Sequence, residues 1–578
     1  KAPVRCSFDP LQKANIFAED EQVGYKVTLE NTTDEERTEK LRLAAHDWYG
    51  KDELEETEKV KLAPGERKSV VLELDPERFG WYQAEITAGG RTWKHNFVRL
   101  RKREYDVRPF DEKCIRAGVW HMLQKSALTA YIAGKGGWDT EGGGIYYPDD
   151  PEARRKFEET MRRFGMRTFV APSDTRATYG GRVNAATPID EGVEAFLKRQ
   201  PDLAKHAEDE FRQYKYVTAM AEPGGINAGN AEFPEYWGEP ENAYDCRKIA
   251  GKERERFLDY KRMIQISAKA LRGRFPGLKL LMPHGSWTFM IPFLQDPDTR
   301  DCSDGVQCDF QYYTRLPEMQ LHQSALNSLM IFKDAWHKYR KGEPFLLWDE
   351  GPDVTQVYPG GSSQIGAASH RVRISMLMAA YGCNIQTSWG TSVITHGENH
   401  CAGGLVTGNN ALDPDLHYAA FSAWLRHARH ATHESFTYPG STSAFCQNFR
   451  DHRKGNLIRA VWTIRGERDF IFDCKPGKLT VYDPMDNIVE AEKRDGKAVV
   501  RVGEMPFFVY GAEGVAVTLG EPDNSDACTP QLGRDLWSDP VVAKLANLGE
   551  TAFKQTDDAD KPYVEMMPDF VKRFPAKM

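Results

Sequence analysis

From about residue 109 to residue 435, short apolar runs alternate with longer stretches of helical period, and this alternation constrains the chain more than any other feature. Ile115–Trp120, Thr168–Ala171, Tyr216–Ala221, Leu278–Met282, Val306–Tyr313, Phe345–Trp348 and Asn384–Trp389 read as strands. Arg154–Phe164 carries Phe157, Met161 and Phe164 on one helical face, and Glu253–Arg272 carries Phe257, Tyr260, Ile264 and Leu271 on another. Glu191–Tyr214 is expected to be helical with a break at Pro201; Met319–Tyr339, Ile365–Tyr381 and Leu416–His430 are further expected helices. Repeated strand–helix units imply a parallel sheet, because each parallel crossover needs a connecting helix. An eighth strand would close a (β/α)8 barrel. It would lie between Gln124 and Tyr147, where glycine is dense and the period unclear. A doubly wound open sheet is the alternative, but no Gly-x-Gly-x-x-Gly fingerprint joins a strand to a helix.

The flanks follow a different period. In residues 1–108, Val23–Glu30 alternates strictly, and Leu41–Trp48, Ser69–Leu74, Trp81–Ile86 and Asn96–Leu100 are further strands separated by turn residues, as in an Ig-like β-sandwich. Trp48 and Trp81 are expected in its core. Arg101–Arg108 is charged and reads as a linker, with Tyr105, Val107 and Phe110 as apolar anchors that hold the sandwich against the next domain. Residues 436–520 return to strands, a second sandwich, and 521–578 form a polar extension with one expected helix at Val541–Asn547. The expected class is therefore α/β, a barrel at 109–435 between two β-sandwiches.

A chain of 578 residues supports several domains of this size. The net charge of −8 comes without a basic stripe, which argues against nucleic acid as a partner. No apolar run approaches the roughly 18 residues of a membrane span. The ten cysteines form no Cys-x-x-Cys pair; Cys302 and Cys308 are the first pair to examine for a disulfide. A secreted or periplasmic location is expected.

In a barrel, chemistry sits at the C-terminal ends of the strands. The strand ends here carry His121, Glu222, His284 with Trp287 just beyond, Tyr312–Tyr313, Asp349–Glu350 and Trp389. Two acids among aromatics and histidines suit the cleavage of a glycosidic bond: one protonates the leaving oxygen while the other attacks the anomeric carbon or activates water. Aromatic faces stack on sugar rings, and an acid ending an apolar strand is partly desolvated, which raises its pKa and favours proton donation.

Ala221-Glu222-Pro223 resembles the Asn-Glu-Pro motif of clan A retaining glycoside hydrolases, and Asp349-Glu350-Gly351 resembles the neighbourhood of their nucleophile. Counting back from Trp389 on the eighth strand puts Glu350 on the seventh and Glu222 on the fourth. The resemblance implies Glu222 as acid/base, Glu350 as nucleophile, a strand-six tyrosine (Tyr312 or Tyr313) beside the nucleophile, and Trp389 as the aromatic ending strand eight. It extends over about residues 109–520, since Leu479–Met485 and Met505–Tyr510 are similar to the sandwich that follows many such barrels. It implies a carbohydrate substrate and no cofactor. The chain departs at Ala221, where the clan has an asparagine that contacts the sugar 2-hydroxyl. Asp349 beside Glu350 is a second departure, because adjacent strand residues face opposite ways.

Two other classes stay open. A carbohydrate-binding protein on a degenerate barrel keeps the aromatic cleft without cleavage. A metal-dependent hydrolase would use His396, His400 and Cys401, which lack the His-Glu-x-x-His spacing. No Gly-x-Ser-x-Gly elbow is present. Trp138, Trp237, Trp287, Trp348 and Trp389 are core residues or sugar platforms; Trp237, in a polar loop, is expected to be exposed and to bind substrate.

Overall fold

The computed structural model describes residues 3–108, 113–121, 126–141, 148–173, 183–199, 212–219, 245–285, 287–308, 318, 325–348, 364–390, 406–407, 412–441, 443–464 and 466–521. Its centre is a ring of eight parallel strands: β1 (Arg116–His121), β2 (Thr140–Glu141), β3 (Arg167–Ser173), β4 (Arg212–Ala219), β5 (Lys279–Gly285), β6 (Gly305–Cys308), β7 (Phe345–Trp348) and β8 (Ile385–Gly390). They pair in sequence order, and β8 returns to β1. Helices α1 (Ala127–Gly136), α2 (Pro151–Arg163), α3 (Ile189–Arg199), α4 (Gly251–Arg274), α5 (Ile291–Gln295), α6 (Ala325–Tyr339), α7 (Gln364–Ala380) and α8 (Leu416–Ala428) lie one after each strand.

The glycine-dense stretch holds both α1 and the eighth strand, β2. The helical period is hidden there because glycines occupy positions where a side chain has no room. A Cβ on Gly134 would lie 2.5 Å from Phe164, and one on Gly136 would lie 2.4 Å from the Trp138 ring. Ser126 begins α1 with a capping box, its hydroxyl accepting from the Thr129 amide while the Thr129 hydroxyl accepts from the Ser126 amide. Arg212–Tyr214, expected in a helix, instead begins β4. Tyr214 and Tyr216 are good strand formers, and pairing with β3 outweighs the helical propensity of the preceding run.

The N-terminal sandwich packs a three-stranded sheet (Val4–Pro10, Val23–Asn31, Arg67–Leu74) on a five-stranded one (Ile16–Ala18, Arg91–Leu100, Gly80–Ala88, Arg37–Asp47, Glu53–Leu62). The last strand, Glu53–Leu62, is exposed along most of its length and charged, which suits a sheet edge that must not pair with another chain. Trp81 does not join the sandwich core. It packs with the barrel's cluster, and its Nε1 donates to the Pro414 carbonyl at 3.1 Å.

The linker is held by its arginines more than by its apolar residues. Arg103 donates to the carbonyls of Gly136 and Ser422, both at 2.8 Å. Arg108 pairs with buried Asp139. Tyr105 anchors as expected, its hydroxyl donating to the Lys135 carbonyl at 3.1 Å, but Val107 is exposed and Phe110 lies outside the described residues.

The C-terminal sandwich begins at Ala431–Phe436, ahead of residue 436, because that strand pairs with Ala444–Asp451. The sheet continues through Leu457–Thr463, Phe507–Tyr510, Thr480–Tyr482 and Ile488–Val489. A four-stranded sheet (Glu492–Arg494, Lys497–Val502, Arg468–Phe472, Val517–Leu519) covers it. The hairpin turn Asp483–Asn487 reaches across to the other two domains. Asp483 accepts from Arg78 at 3.0 Å, and Asn487 exchanges hydrogen bonds with the backbone of Phe79. Asp486 pairs with Arg426 and lies 3.2 Å from His427 Nε2, both on α8. Gly80, at φ +110°, leaves room for Met485, whose Cβ would stand 2.6 Å from any added Cβ.

Cys302 and Cys308 are free thiols, and no disulfide forms among the described residues. No described helix is long and apolar enough to cross a membrane. The Val541–Asn547 segment lies outside the described residues.

Replacing Asp486 by Asn would leave Arg426 buried without its counter-ion. The expected cost is about 3–5 kcal/mol, as for other broken buried pairs. It should appear as a clear drop in melting temperature and faster proteolysis between the domains. A melting curve within a degree of the parent would make the turn a passive contact.

Candidate functional site

The interior of the ring can be read from its register. Leu281 of β5, Leu347 of β7 and Ile385 of β8 form a small cluster of their own with Phe345. Their neighbours Leu280, Met282, Leu346 and Trp348 pack instead with the outer helices. Residues paired across a parallel ladder share a face, which extends the interior set to Gln307, Thr387, Gly118 and Thr140. Gly118 is required there: a Cβ would meet Thr140 Cγ2 at 2.7 Å and Thr387 Cγ2 at 2.8 Å.

The floor of the barrel is ionic. Arg116, near the start of β1, and Arg108 both face Asp139, with Arg108 Nε donating at 2.8 Å. Burial opposes the Asp139 charge, but the two guanidiniums outweigh it and hold the carboxyl below its usual range. The linker packs against this end through Arg108, and the strands' C-terminal ends form the opposite face.

At that face the backbone brings several sequence candidates to one rim. His121 ends β1 and pairs with Gly390, so Trp389 lies one residue away on β8. His284 on β5 pairs with Gln307 after an irregularity between Leu281 and His284. Trp287 opens the short 3-10 helix that follows. β4 is described to Ala219 and β7 to Trp348. Glu222, Trp237, Tyr312, Asp349 and Glu350 lie outside the described residues, as do His396, His400 and Cys401. No cluster of three or more His, Cys, Asp or Glu suited to a metal occurs among the described residues. Trp138 and Trp348 are not sugar platforms; both are buried, and Trp138 stacks on Tyr418 at 5.3 Å.

Two features that the sequence reading missed brace the connections of this face. Asp413, just before α8, accepts from Asn15 Nδ2 at 2.9 Å and lies 3.2 Å from His95 Nδ1, so the N-terminal sandwich holds the β8–α8 connection. Glu318, in the β6–α6 connection, is gripped by the C-terminal sandwich. Neither has a local sequence signal, since the partners are far apart in the chain.

No family model matches the chain, and no curated protein matches it in sequence. Solved structures do. A family 39 glycoside hydrolase from Bacteroides cellulosilyticus is 14% identical with a TM-score of 0.59, over 87% of this chain and 100% of that one. The chain shares that enzyme's fold. A glucosidase from Croceicoccus marinus is 9% identical, TM-score 0.41, over 69% and 95%. Bacteroides uniformis β-glucuronidase 2 is 12% identical, TM-score 0.33; 86% of this chain aligns with 57% of that one.

The register makes a direct claim about packing. Gly118→Val should lower stability by about 1–3 kcal/mol or abolish soluble expression, as overpacked cores do. Thr387→Ser, which removes one clashing methyl, should recover part of the loss when combined with it. Melting temperatures of the three variants check this.

Proposed function

We propose that the chain is a retaining glycoside hydrolase in which Glu222 is the acid/base and the end of β7 supplies the nucleophile. The carrying observation is the strand count. The ring makes the strand before Glu222 the fourth and the strand before Glu350 the seventh, the two positions that the clan A resemblance requires. The shared fold with a family 39 glycoside hydrolase supports the same reading.

The mechanism follows from that placement. Glu222, at the end of an apolar strand, gives its proton to the leaving oxygen while the nucleophile bonds to the anomeric carbon. The same carboxylate then takes a proton from the water that releases the sugar. His121, His284, Trp287 and Trp389 border the face on which the sugar would lie, with Trp237 and Tyr312 on adjoining connections.

One observation favours a second choice of nucleophile. Leu347 belongs to the interior, so strict alternation would pass that phase to Asp349 and the outward phase to Glu350. Glu350 acts only if the chain makes one irregular step after Trp348.

The test is a panel of aryl glycosides and polysaccharides on the purified chain, followed by Glu222→Gln, Asp349→Asn and Glu350→Gln. Replacing the nucleophile should remove nearly all turnover. Glu222→Gln should spare substrates with good leaving groups, which need little protonation. Loss on Asp349→Asn with survival of Glu350→Gln would move the nucleophile to Asp349. A crystal structure should place the two reacting carboxyls about 5–5.5 Å apart. Sugar binding without cleavage of any substrate would support the non-catalytic reading instead.

A further inference from the structure

Where the C-terminal sandwich meets the barrel, two buried carboxyls gather around one guanidinium. Glu318, between β6 and α6, has a fully buried side chain; Trp462 Nε1 of the sandwich donates to its Oε1 at 2.8 Å, and Arg373 of α7 approaches the same oxygen at 3.3 Å. Glu504 enters from the sandwich, just before Phe507–Tyr510. Ser369 of α7 donates to its backbone carbonyl at 2.7 Å. Both Glu504 carboxyl oxygens and Glu318 Oε2 are buried without a hydrogen-bond partner among the described residues. The charged groups acting on Glu504 from these elements are Arg373 of α7 and Glu318 of the β6–α6 connection.

We propose that Glu318 is a positioning residue for the reaction at the barrel mouth, and that Glu318 and Glu504 together hold one proton around Arg373 when the sandwich docks. The first half rests on the glycosidase reading. Glu318 lies on the connection that also carries Tyr312, and Arg373 lies on the helix that follows the connection carrying Glu350. Their ion pair therefore ties the β6–α6 connection to α7, the helix after the seventh strand, and Trp462 fixes that tie to the sandwich. Among the described residues one guanidinium serves both carboxyls, and it balances one carboxylate, so the second carboxyl is accommodated as a neutral acid. Burial pushes Glu504 up; Arg373 opposes and Glu318 adds to the rise, leaving it at about 7. The folded chain thus keeps a proton that the unfolded chain loses above pH ~4.5. That contribution to stability is complete below about pH 4.5 and declines as pH rises to about 7, where Glu504 ionises in the folded state as well.

The experiment uses the full chain, Glu504→Gln and Glu318→Gln, with melting temperature and, on an aryl glycoside, kcat and KM from pH 5 to pH 9. Glutamine mimics the neutral acid. Glu504→Gln should melt with the parent at pH 5 and several degrees above it at pH 9, and its kcat should fall less than the parent's between pH 7 and 9. Glu318→Gln should lower kcat roughly tenfold or more with little change in KM, as misplacement of reacting groups does. A melting difference that is the same at both pH values overturns the shared proton. Glu318→Gln with a lowered melting temperature and parental kcat overturns the positioning role. If the parent cleaves no glycoside, the positioning role falls with the glycosidase reading, while the melting curves still decide the shared proton.

Discussion

Three domains meet at one five-residue turn, and the ion pair of Asp486 with Arg426 is its centre. The turn is strained at that residue, where φ is +73°, a conformation that aspartate tolerates better than most side chains. Asp483 stabilises it by accepting the amides of Met485 and Asn487, both at 2.9 Å. The turn then offers Asp486 to α8, Asn487 to the N-terminal sandwich and its own backbone to Arg101 of the linker. His427 lies between Asp486 and the Tyr510 hydroxyl, which is 2.7 Å from Nδ1. Burial and Arg426 hold this histidine well below its usual range, so it is neutral near pH 7 and the charge balance rests on Arg426 and Asp486.

That joint has a consequence for the barrel mouth. Each sandwich holds one connection of the strands' C-terminal face from outside the ring. The N-terminal sandwich holds the chain just before α8 through Asn15 and His95, and the C-terminal sandwich holds the β6–α6 connection through Trp462. Long connections are the part of a barrel that loses most entropy on ordering. Fixing them from outside leaves the interior free to be packed by residues as small as Gly118, Thr140 and Thr387.

Most of the ring was legible in the sequence because buried parallel strands are continuous apolar runs, as Phe345–Trp348 and Leu278–Met282 are. The two-residue β2 was not, since Thr140–Glu141 is too short to show a period. Helix α1 was hidden by glycines whose absence of Cβ makes room for the Trp138 ring just beyond the helix and for Phe164, a partner far along the chain that no local pattern reveals. The Arg101–Arg108 segment read as a polar linker because arginine usually marks a surface; here Arg103 and Arg108 are drawn in by backbone carbonyls and Asp139. The spacing put Glu222 after the fourth strand and Glu350 after the seventh, and the ring has that strand order; the two acids themselves lie outside the described residues. The inward face of Leu347 was not legible, because a continuous apolar run such as Phe345–Trp348 shows no alternation and only the ring's packing separates Leu347 from Leu346 and Trp348.

The buried acids of this chain differ in one respect that accounts for their opposite behaviour. Asp139 has two guanidiniums, Arg108 and Arg116, and Asp486 has Arg426 with His427 beside it; both are held below the usual carboxylate range although burial alone would raise them. Glu504 shares a single guanidinium with Glu318 and is raised. Desolvation is common to all three, so the number of cations per carboxylate decides the sign. Asp483, which shares Arg78 with Asp47, is likewise raised by burial. The same reasoning applies to any acid that must carry a proton at neutral pH, as the proposed role of Glu222 requires: it needs burial or a carboxylate neighbour without a dedicated cation. An apolar strand end facing a second acid supplies both conditions, and a lysine or arginine placed beside it would remove them.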